Sequence, residues 1–343
     1  MEESNFRGQI YDKAVPKELD LIDRKILYLL CKNARFSNTV IAKNLNLSRE
    51  VVSYRIKKME DSEFLKGCIT LIDPRKLGFI EIIVYFKLIS LNNEKEVIEF
   101  ITNKKGIVGV KTCSGKYDLQ IIFSAKELEN IHENIRELLE KYNNIISNYD
   151  VLTIVDMNFL GMGLILEKDA EQINIIKDSK GSSFLKEFLE ISKKDYVPNK
   201  ADKNIMEIIQ SNARISIVEI SKETSLSPIT VKNKISNLVN CGIIKSFVPY
   251  FTMANLGYQW YEIFFRFKDF NERKFIEYIK QHKNIVWYVK FIGKWDYQIS
   301  VFAKNHSHFH EILNEFRNEF NDSLSEYESV IVFNQFAFKR RIE

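Results

Sequence analysis

Ser48, Arg49, Ser53, Tyr54, Lys57 and Lys58 form one polar stretch of this chain, and Ser227, Thr230, Lys232, Asn233, Ser236 and Asn237 form another. Hydroxyl and amide groups can bond to either a donor or an acceptor, while lysine and arginine add charge-assisted donors. On a helix, where successive residues turn by about 100°, Val52, Ile56 and Met59 share one apolar face. Glu50, Ser53, Tyr54, Lys57 and Lys58 then point the other way, with Arg49 at the leading end. In the second stretch Val231, Ile235 and Leu238 take the inward face. Ile229, Lys232, Asn233, Ser236 and Asn237 point outward there, with Thr230 beside them. Such a helix carries the chemistry to meet base edges and phosphates, and a major groove is wide enough to admit it.

The two stretches are one element written twice. Asn33-Ala34-Arg35, Leu47-Ser48, Val52, Ile56 and Leu77-Gly78 return 179 positions later as Asn212-Ala213-Arg214, Leu226-Ser227, Val231, Ile235 and Leu256-Gly257. A gapless repeat of about 45 residues is an architectural signal. Within it, Ile22, Ile26, Leu29 and Leu30 predict a first helix from Asp20 to about Cys31. Ser37 caps a short second helix, Leu45-Asn46-Leu47 makes the turn, and Ser48 caps a third helix ending near Asp61. The second copy repeats this with Ile205, Ile208 and Ile209, a Ser216 cap and Ser227-Pro228, a strong helix start. Gly242 suits a left-handed helix end. Glu63 stands at the matching place in the first copy, so that helix is expected to close differently.

After each three-helix unit the period becomes strand-like. Strands are expected at residues 79–90, 107–114, 117–125 and 147–158, with helices at Glu94–Lys104 and Glu127–Tyr142 between them. The second copy has strands near 258–268, 285–292, 295–303 and 325–338, and helices near 271–281 and 306–320. The order βαββαβ is the ferredoxin-like unit. Gly115-Lys116-Tyr117-Asp118 and Gly293-Lys294-Trp295-Asp296 mark the middle hairpins, read as two-residue turns. Gly115, Tyr117, Asp118, Gly293, Trp295 and Asp296 are the candidate small-ligand residues; the competing reading is an aspartate that fixes each turn.

The fold class is therefore α+β, two winged helix-turn-helix domains alternating with two ferredoxin-like (βαββαβ) domains. The expected order is a polar leader (1–18), winged helix-turn-helix 1 (19–73) and ferredoxin-like domain 1 (74–163). A linker with a helix (164–197), winged helix-turn-helix 2 (198–250) and ferredoxin-like domain 2 (251–343) follow. In the linker, Lys177–Ser183 reads as a hinge before an amphipathic helix on Phe184, Leu185, Phe188 and Ile191.

The pattern Leu21-Ile22-Asp23, Ile26-Leu27, Asn33-Ala34-Arg35, Leu47-Ser48, Val52, Arg55-Ile56 and Leu77-Gly78 resembles the Lrp/AsnC transcription regulators. That resemblance implies double-stranded DNA as partner and an amino-acid-like effector near the hairpins. It also implies dimerisation through the effector-domain sheets, and hence an intramolecular pseudo-dimer in a fused chain. Further homo-oligomerisation is expected through sheet faces or edges left open. Lys234 in place of Arg55, and Glu63 in place of the family's glycine, suggest that the two copies bind DNA unequally.

Charge points the same way. The whole chain carries only +4, too little to argue for nucleic acid by itself. Residues 23–60, however, hold nine Lys and Arg against three acids, and residues 202–239 hold five against four. Phosphate neutralisation supplies much of DNA affinity, so the first copy is expected to bind more strongly.

Other chemistries find little support. Cys31, Cys68, Cys113 and Cys241 show no paired spacing, which suits a reducing cytoplasm and buried thiols. The first sixteen residues have no apolar segment like that of a signal peptide, and no run approaches a membrane span. His306, His308 and His310 crowd a helix start, but with neither cysteine nor further histidine nearby no metal is assigned. The fused architecture also resembles siroheme decarboxylases, which use His and Arg near the middle hairpin; residues 106–125 and 285–303 contain neither. No catalytic residue, cofactor or membrane partner is expected.

Overall fold

The computed structural model describes residues 6–10, 17–89, 94–102, 104–166, 196–338 and 342. The linker hinge and its amphipathic helix lie outside these residues. The chain forms two compact units. One comprises Met1–Lys17, Gly78–Leu160 and Thr252–Arg340; the other comprises Glu18–Leu77, Gly161–Phe251 and Arg341–Glu343. Like repeats are thus gathered together, ferredoxin-like with ferredoxin-like and helix-turn-helix with helix-turn-helix. No helix among the described residues is long and apolar enough to cross a membrane.

The first unit opens with β1 (Phe6–Ile10), a strand inside what the composition suggested was only a polar leader. The first βαββαβ copy follows as β3 (Ile80–Leu88), α4 (Glu94–Thr102), β4 (Ile107–Gly115), β5 (Leu119–Ala125), α5 (Leu128–Lys141) and β6 (Ile146–Phe159). The second copy is β8 (Gln259–Phe267), α9 (Glu272–Gln281), β9 (Ile285–Ile292), β10 (Tyr297–Ala303), α10 (His306–Phe320) and β11 (Leu324–Phe338). The strand order within the copies is β4-β5-β3-β6 and β9-β10-β8-β11.

The copies join at both edges. β6 pairs with β9 from Thr153↔Ile292 to Phe159↔Trp287, and β11 pairs with β4 from Val330↔Gly115 to Ala337↔Gly109. Each of these eight strands therefore has a partner on both sides and the sheet closes on itself. β1 extends the closure along the last residues of β11, from Phe6↔Phe338 to Ile10↔Asn334. The edges of these eight strands are consumed within the unit, because each copy satisfies the other's unpaired backbone groups, while β1 pairs on one side only among the described residues.

Strand alternation divides the side chains between two environments. Ile82, Val84 and Phe86 turn towards α4 and α5, while Ile83 and Tyr85 turn into the closed sheet beside Phe264, Phe291 and Trp295. Tyr261, Ile263 and Phe265 pack under α9 and α10 in the second copy. Inside, Lys111 of β4 forms a buried ion pair with Glu262 of β8.

The second unit holds α1 (Leu21–Lys32), α2 (Asn38–Leu45), α3 (Arg49–Asp61) and β2 (Cys68–Ile72). Their repeats are α6 (Lys200–Ser211), α7 (Ile217–Thr224), α8 (Pro228–Asn240) and β7 (Ile244–Pro249). β2 and β7 pair with each other, from Cys68↔Pro249 to Ile72↔Ile244. The wing strand of each helix-turn-helix thus finds its partner in the other copy.

Glu63 corrects an expectation. It takes a left-handed φ of +56°, as Gly242 does at +71°. Phe64 N donates to Met59 O, and its counterpart Ile243 N donates to Leu238 O. Both helices therefore end in the same way, and the first does so with a side chain in a conformation that disfavours one.

Candidate nucleic-acid interface

The third helix of each copy is started by a serine. Ser48 Oγ accepts from Val51 N at 3.2 Å, and Ser227 Oγ accepts from Thr230 N at 3.2 Å with Pro228 in the first helical position. Val52, Ile56 and Met59 are buried, as are Val231, Ile235 and Leu238. Burial of such a side chain contributes about 1.5–3 kcal/mol, so this face is fixed inward.

The opposite faces are open to solvent. Ser48, Arg49, Glu50, Ser53, Tyr54, Lys57 and Lys58 are all exposed, Tyr54 to 69%. In the second copy Ser227, Ile229, Lys232, Asn233 and Asn237 are exposed, while Thr230 and Ser236 are half-buried. The Thr230 hydroxyl lies 2.8 Å from Ser227 Oγ and so belongs to the cap. The fully exposed polar set of the second helix is correspondingly narrower than the spacing suggested.

Two cations of these helices are engaged within their own copy. Arg55 Nη1 donates to Asp20 Oδ2 at 2.6 Å and to Asp23 Oδ1 at 2.8 Å. Hydrogen bonding to these carboxylates, Asp20 first, raises its basicity above the usual arginine value. Lys234 Nζ meets the matching Asn199 Oδ1 at 3.3 Å and Asp202 Oδ1 at 3.0 Å. The replacement of arginine by lysine therefore preserves a brace between helices, and it says nothing about unequal binding.

The repeated Asn-Ala-Arg triplet had no assigned role, yet it joins the two copies. Ala34 N donates to Phe247 O at 2.9 Å and Ala213 N donates to Cys68 O at 2.8 Å. Arg35 Nη1 donates to Ala213 O, and Arg214 Nη1 donates to Ala34 O. The signal was present in the sequence, since a triplet kept identical in both copies is compatible with a two-fold contact between them.

The hairpin residues serve the closed sheet. Cys113 N donates to Asp118 O and Phe291 N to Asp296 O, so each loop has four residues between its last bonded pair, not two. The Asp118 carboxylate accepts from Leu88 N at 2.9 Å and the Asp296 carboxylate from Phe267 N at 2.8 Å, so each ties its hairpin to the last residue of a neighbouring strand, β3 or β8. Tyr117 and Trp295 are buried, and Trp295 Nε1 donates to the Tyr117 hydroxyl at 2.9 Å. A Cβ at Gly115 would sit 2.8 Å from Ser329 O, and one at Gly293 would sit 2.5 Å from Leu152 Cδ2. These glycines let the seams between copies close.

Among the histidines, His306 Nδ1 lies 2.9 Å from the Tyr261 hydroxyl and His308 Nδ1 accepts from Lys304 N at 3.2 Å. Asn305 caps the helix on which they start.

A model of the winged helix-turn-helix DNA-binding domain matches residues 19–66 and again 198–245. The regulator LrpB of Bacillus subtilis is 31% identical over 129 residues, covering 37% of this chain and 85% of LrpB. An uncharacterized HTH-type transcriptional regulator of Pyrococcus horikoshii is 30% identical over 148 residues, covering 41% of this chain and 97% of that protein.

The chain belongs to the Lrp/AsnC family.

Its Lrp/AsnC unit occurs twice, and the serine caps, inward triads and outward faces described above fall in both matched segments. The regulatory protein AsnC of Haemophilus influenzae is 25% identical over 138 residues, 40% of this chain and 91% of AsnC. The solved structure of the siroheme decarboxylase NirDL is alike over 94% of this chain and 93% of NirDL, with a TM-score of 0.60 at 15% identity. That likeness is one of fold.

Proposed function

We propose that this chain is a sequence-specific transcription regulator that binds double-stranded DNA through its two recognition helices, its repeats acting as an intramolecular pseudo-dimer. The observation that carries this reading is the pair of serine-capped helices in an Lrp/AsnC chain, each packed inward by an apolar triad and exposed on a polar face. A pseudo-dimer of unequal halves suits an asymmetric operator, since operator symmetry mirrors protein symmetry.

The halves differ in charge even after internal bonds are removed from the count. Arg24, Arg35 and Arg55 bond within the fold, which leaves Lys25, Lys32, Lys43, Arg49, Lys57 and Lys58 in the first copy. Arg214 and Lys234 do so in the second, which leaves Lys203, Lys222 and Lys232. Phosphate contacts therefore favour the first copy. Gel-shift titration should show a larger affinity loss for Arg49→Ala with Lys57→Ala than for Lys232→Ala with Asn233→Ala. Equal losses would sink the asymmetry, and absence of any DNA binding by the intact chain would sink the function.

The family resemblance extends the proposal to an amino-acid-like effector. Repeating the titration with a panel of amino acids tests this, and an unchanged Kd throughout removes the effector from the reading. The likeness to NirDL favours a second reading, an enzyme acting on siroheme. The hairpin segments 106–125 and 285–303 lack the His and Arg that this chemistry uses, and we therefore propose a regulator and not an enzyme. Anaerobic mixing with siroheme should leave its absorption spectrum unchanged; conversion of the siroheme would reverse that choice.

A further inference from the structure

Glu50 and Ile229 occupy the same place in the two recognition helices, 179 residues apart and second in α3 and α8 respectively. Both are exposed, and Ile229 shows 63% of its surface on a face it shares with Lys232 and Asn233. Most of this isoleucine is left uncovered by the described residues, so packing does not account for it. A recognition helix presents its N-terminal residues to base edges in the major groove. There a carboxylate accepts from the N4 amino group of cytosine, while an apolar side chain packs on the thymine methyl.

The two preferences exclude each other. A glutamate over thymine would set its charge against the O4 acceptor and a methyl group. An isoleucine over cytosine would leave the N4 donor without a partner, an unsatisfied group whose cost opposes binding. We infer that Glu50 and Ile229 are a specificity pair, so that one equivalent operator position is cytosine in the half-site of the first copy and thymine in that of the second. The inference rests on the DNA-binding function proposed above and assigns the base class that each half reads.

The test is selection of bound duplexes from a random pool by the full chain and by Glu50→Ile, Ile229→Glu and Glu50→Gln. The unaltered chain should enrich two half-sites that differ as cytosine and thymine at one matching position. Glu50→Ile should enrich thymine in both halves. It should also lose about tenfold in affinity for the original operator and regain it when that cytosine is changed to thymine. Ile229→Glu should enrich cytosine in both halves. Glu50→Gln, which removes charge without adding apolar surface, should not acquire the thymine preference. All three substitutions are at exposed positions, and unchanged circular dichroism and Tm confirm intact folding. The inference is overturned if Glu50→Ile and Ile229→Glu select the same sequences as the unaltered chain, or bind without preference at that position. Failure of the unaltered chain to enrich any duplex would instead overturn the DNA-binding function.

Discussion

Arg35 and Arg214 clasp each other's repeat. Arg35 donates to the carbonyl of Ala213 at 2.7 Å, and Arg214 donates to the carbonyl of Ala34 at 2.6 Å. Arg214 also reaches Phe36 O at 3.0 Å and Asn38 Oδ1 at 2.8 Å, while Arg35 lies over the Phe247 ring at 5.6 Å. Burial, and then the charge of Arg214, lowers the pKa of Arg35 to about 10, so it still carries its charge at neutral pH.

Removing this clasp should loosen the joint between the helix-turn-helix copies. Ala34 and Ala213 are fully buried, and a buried carbonyl left without a donor costs about 1–3 kcal/mol. Arg214→Ala is expected to lower stability by an amount in that range, and by more than Arg35→Ala, since it gives up three acceptors. Urea unfolding of the two variants decides it; equal midpoints to the unaltered chain would show that the clasp contributes nothing.

Glu63→Gly should stabilise the chain by about 1 kcal/mol, because a left-handed residue with a Cβ carries a conformational penalty that glycine avoids. The reverse change, Gly242→Ala, should destabilise by a similar amount. Both shifts are readable as changes in the urea midpoint at constant m value.

The buried pair Lys111–Glu262 should respond differently to one change than to two. Lys111→Met leaves the Glu262 carboxylate buried without its counter-charge and should cost about 3–5 kcal/mol. Lys111→Val with Glu262→Ile installs the residues found at the matching positions of the other copy, Val289 and Ile83, and should be near neutral or stabilising. A double variant as unstable as the single one would refute this account.

His282 should impose a pH dependence. Burial lowers its pKa below the usual 6.5, an effect opposed by Glu315 beside Nε2 at 3.4 Å and reinforced by Lys283 and His308. Its Nδ1 accepts from Asn284 N at 3.2 Å, which only the neutral ring can do. With the folded pKa depressed, the unfolded chain takes up more protons below about pH 6.5, so stability is retained above that value and falls as the solution becomes more acidic. His282→Gln should flatten the fall in Tm between pH 7 and pH 5; an unchanged slope would rule His282 out as its source. Carboxylates held low, such as Glu272, act only at a lower pH, below about 4.5.

Much of the local structure was legible before the fold was known. The strand at residues 285–292 and the helix at 306–320 have the bounds expected from periodicity. Ser37, Ser48, Ser216 and Ser227 all cap as their positions imply. The outward face of the recognition helix emerged intact for Glu50, Ser53, Tyr54, Lys57 and Lys58. Less legible was the hairpin, because its length depends on Tyr117 and Trp295 turning inward to meet each other across the copies. Glu63 misled for a related reason: a propensity argues against the left-handed state, but Phe64, which follows it, is held fully buried.

Periodicity, caps and the exact repeat were enough by themselves to determine the two kinds of domain, their order and the polar faces of the recognition helices. Each of these depends on residues within a few turns of one another, whose geometry the backbone dictates directly. Only the tertiary structure decided that like repeats pair. It showed that β6 joins β9 and β4 joins β11 to close the sheet, that β2 and β7 share one ribbon, and that Asn-Ala-Arg is a joint. Those contacts link residues well over a hundred positions apart, and they depend on complementary surfaces that exist only once both copies have folded.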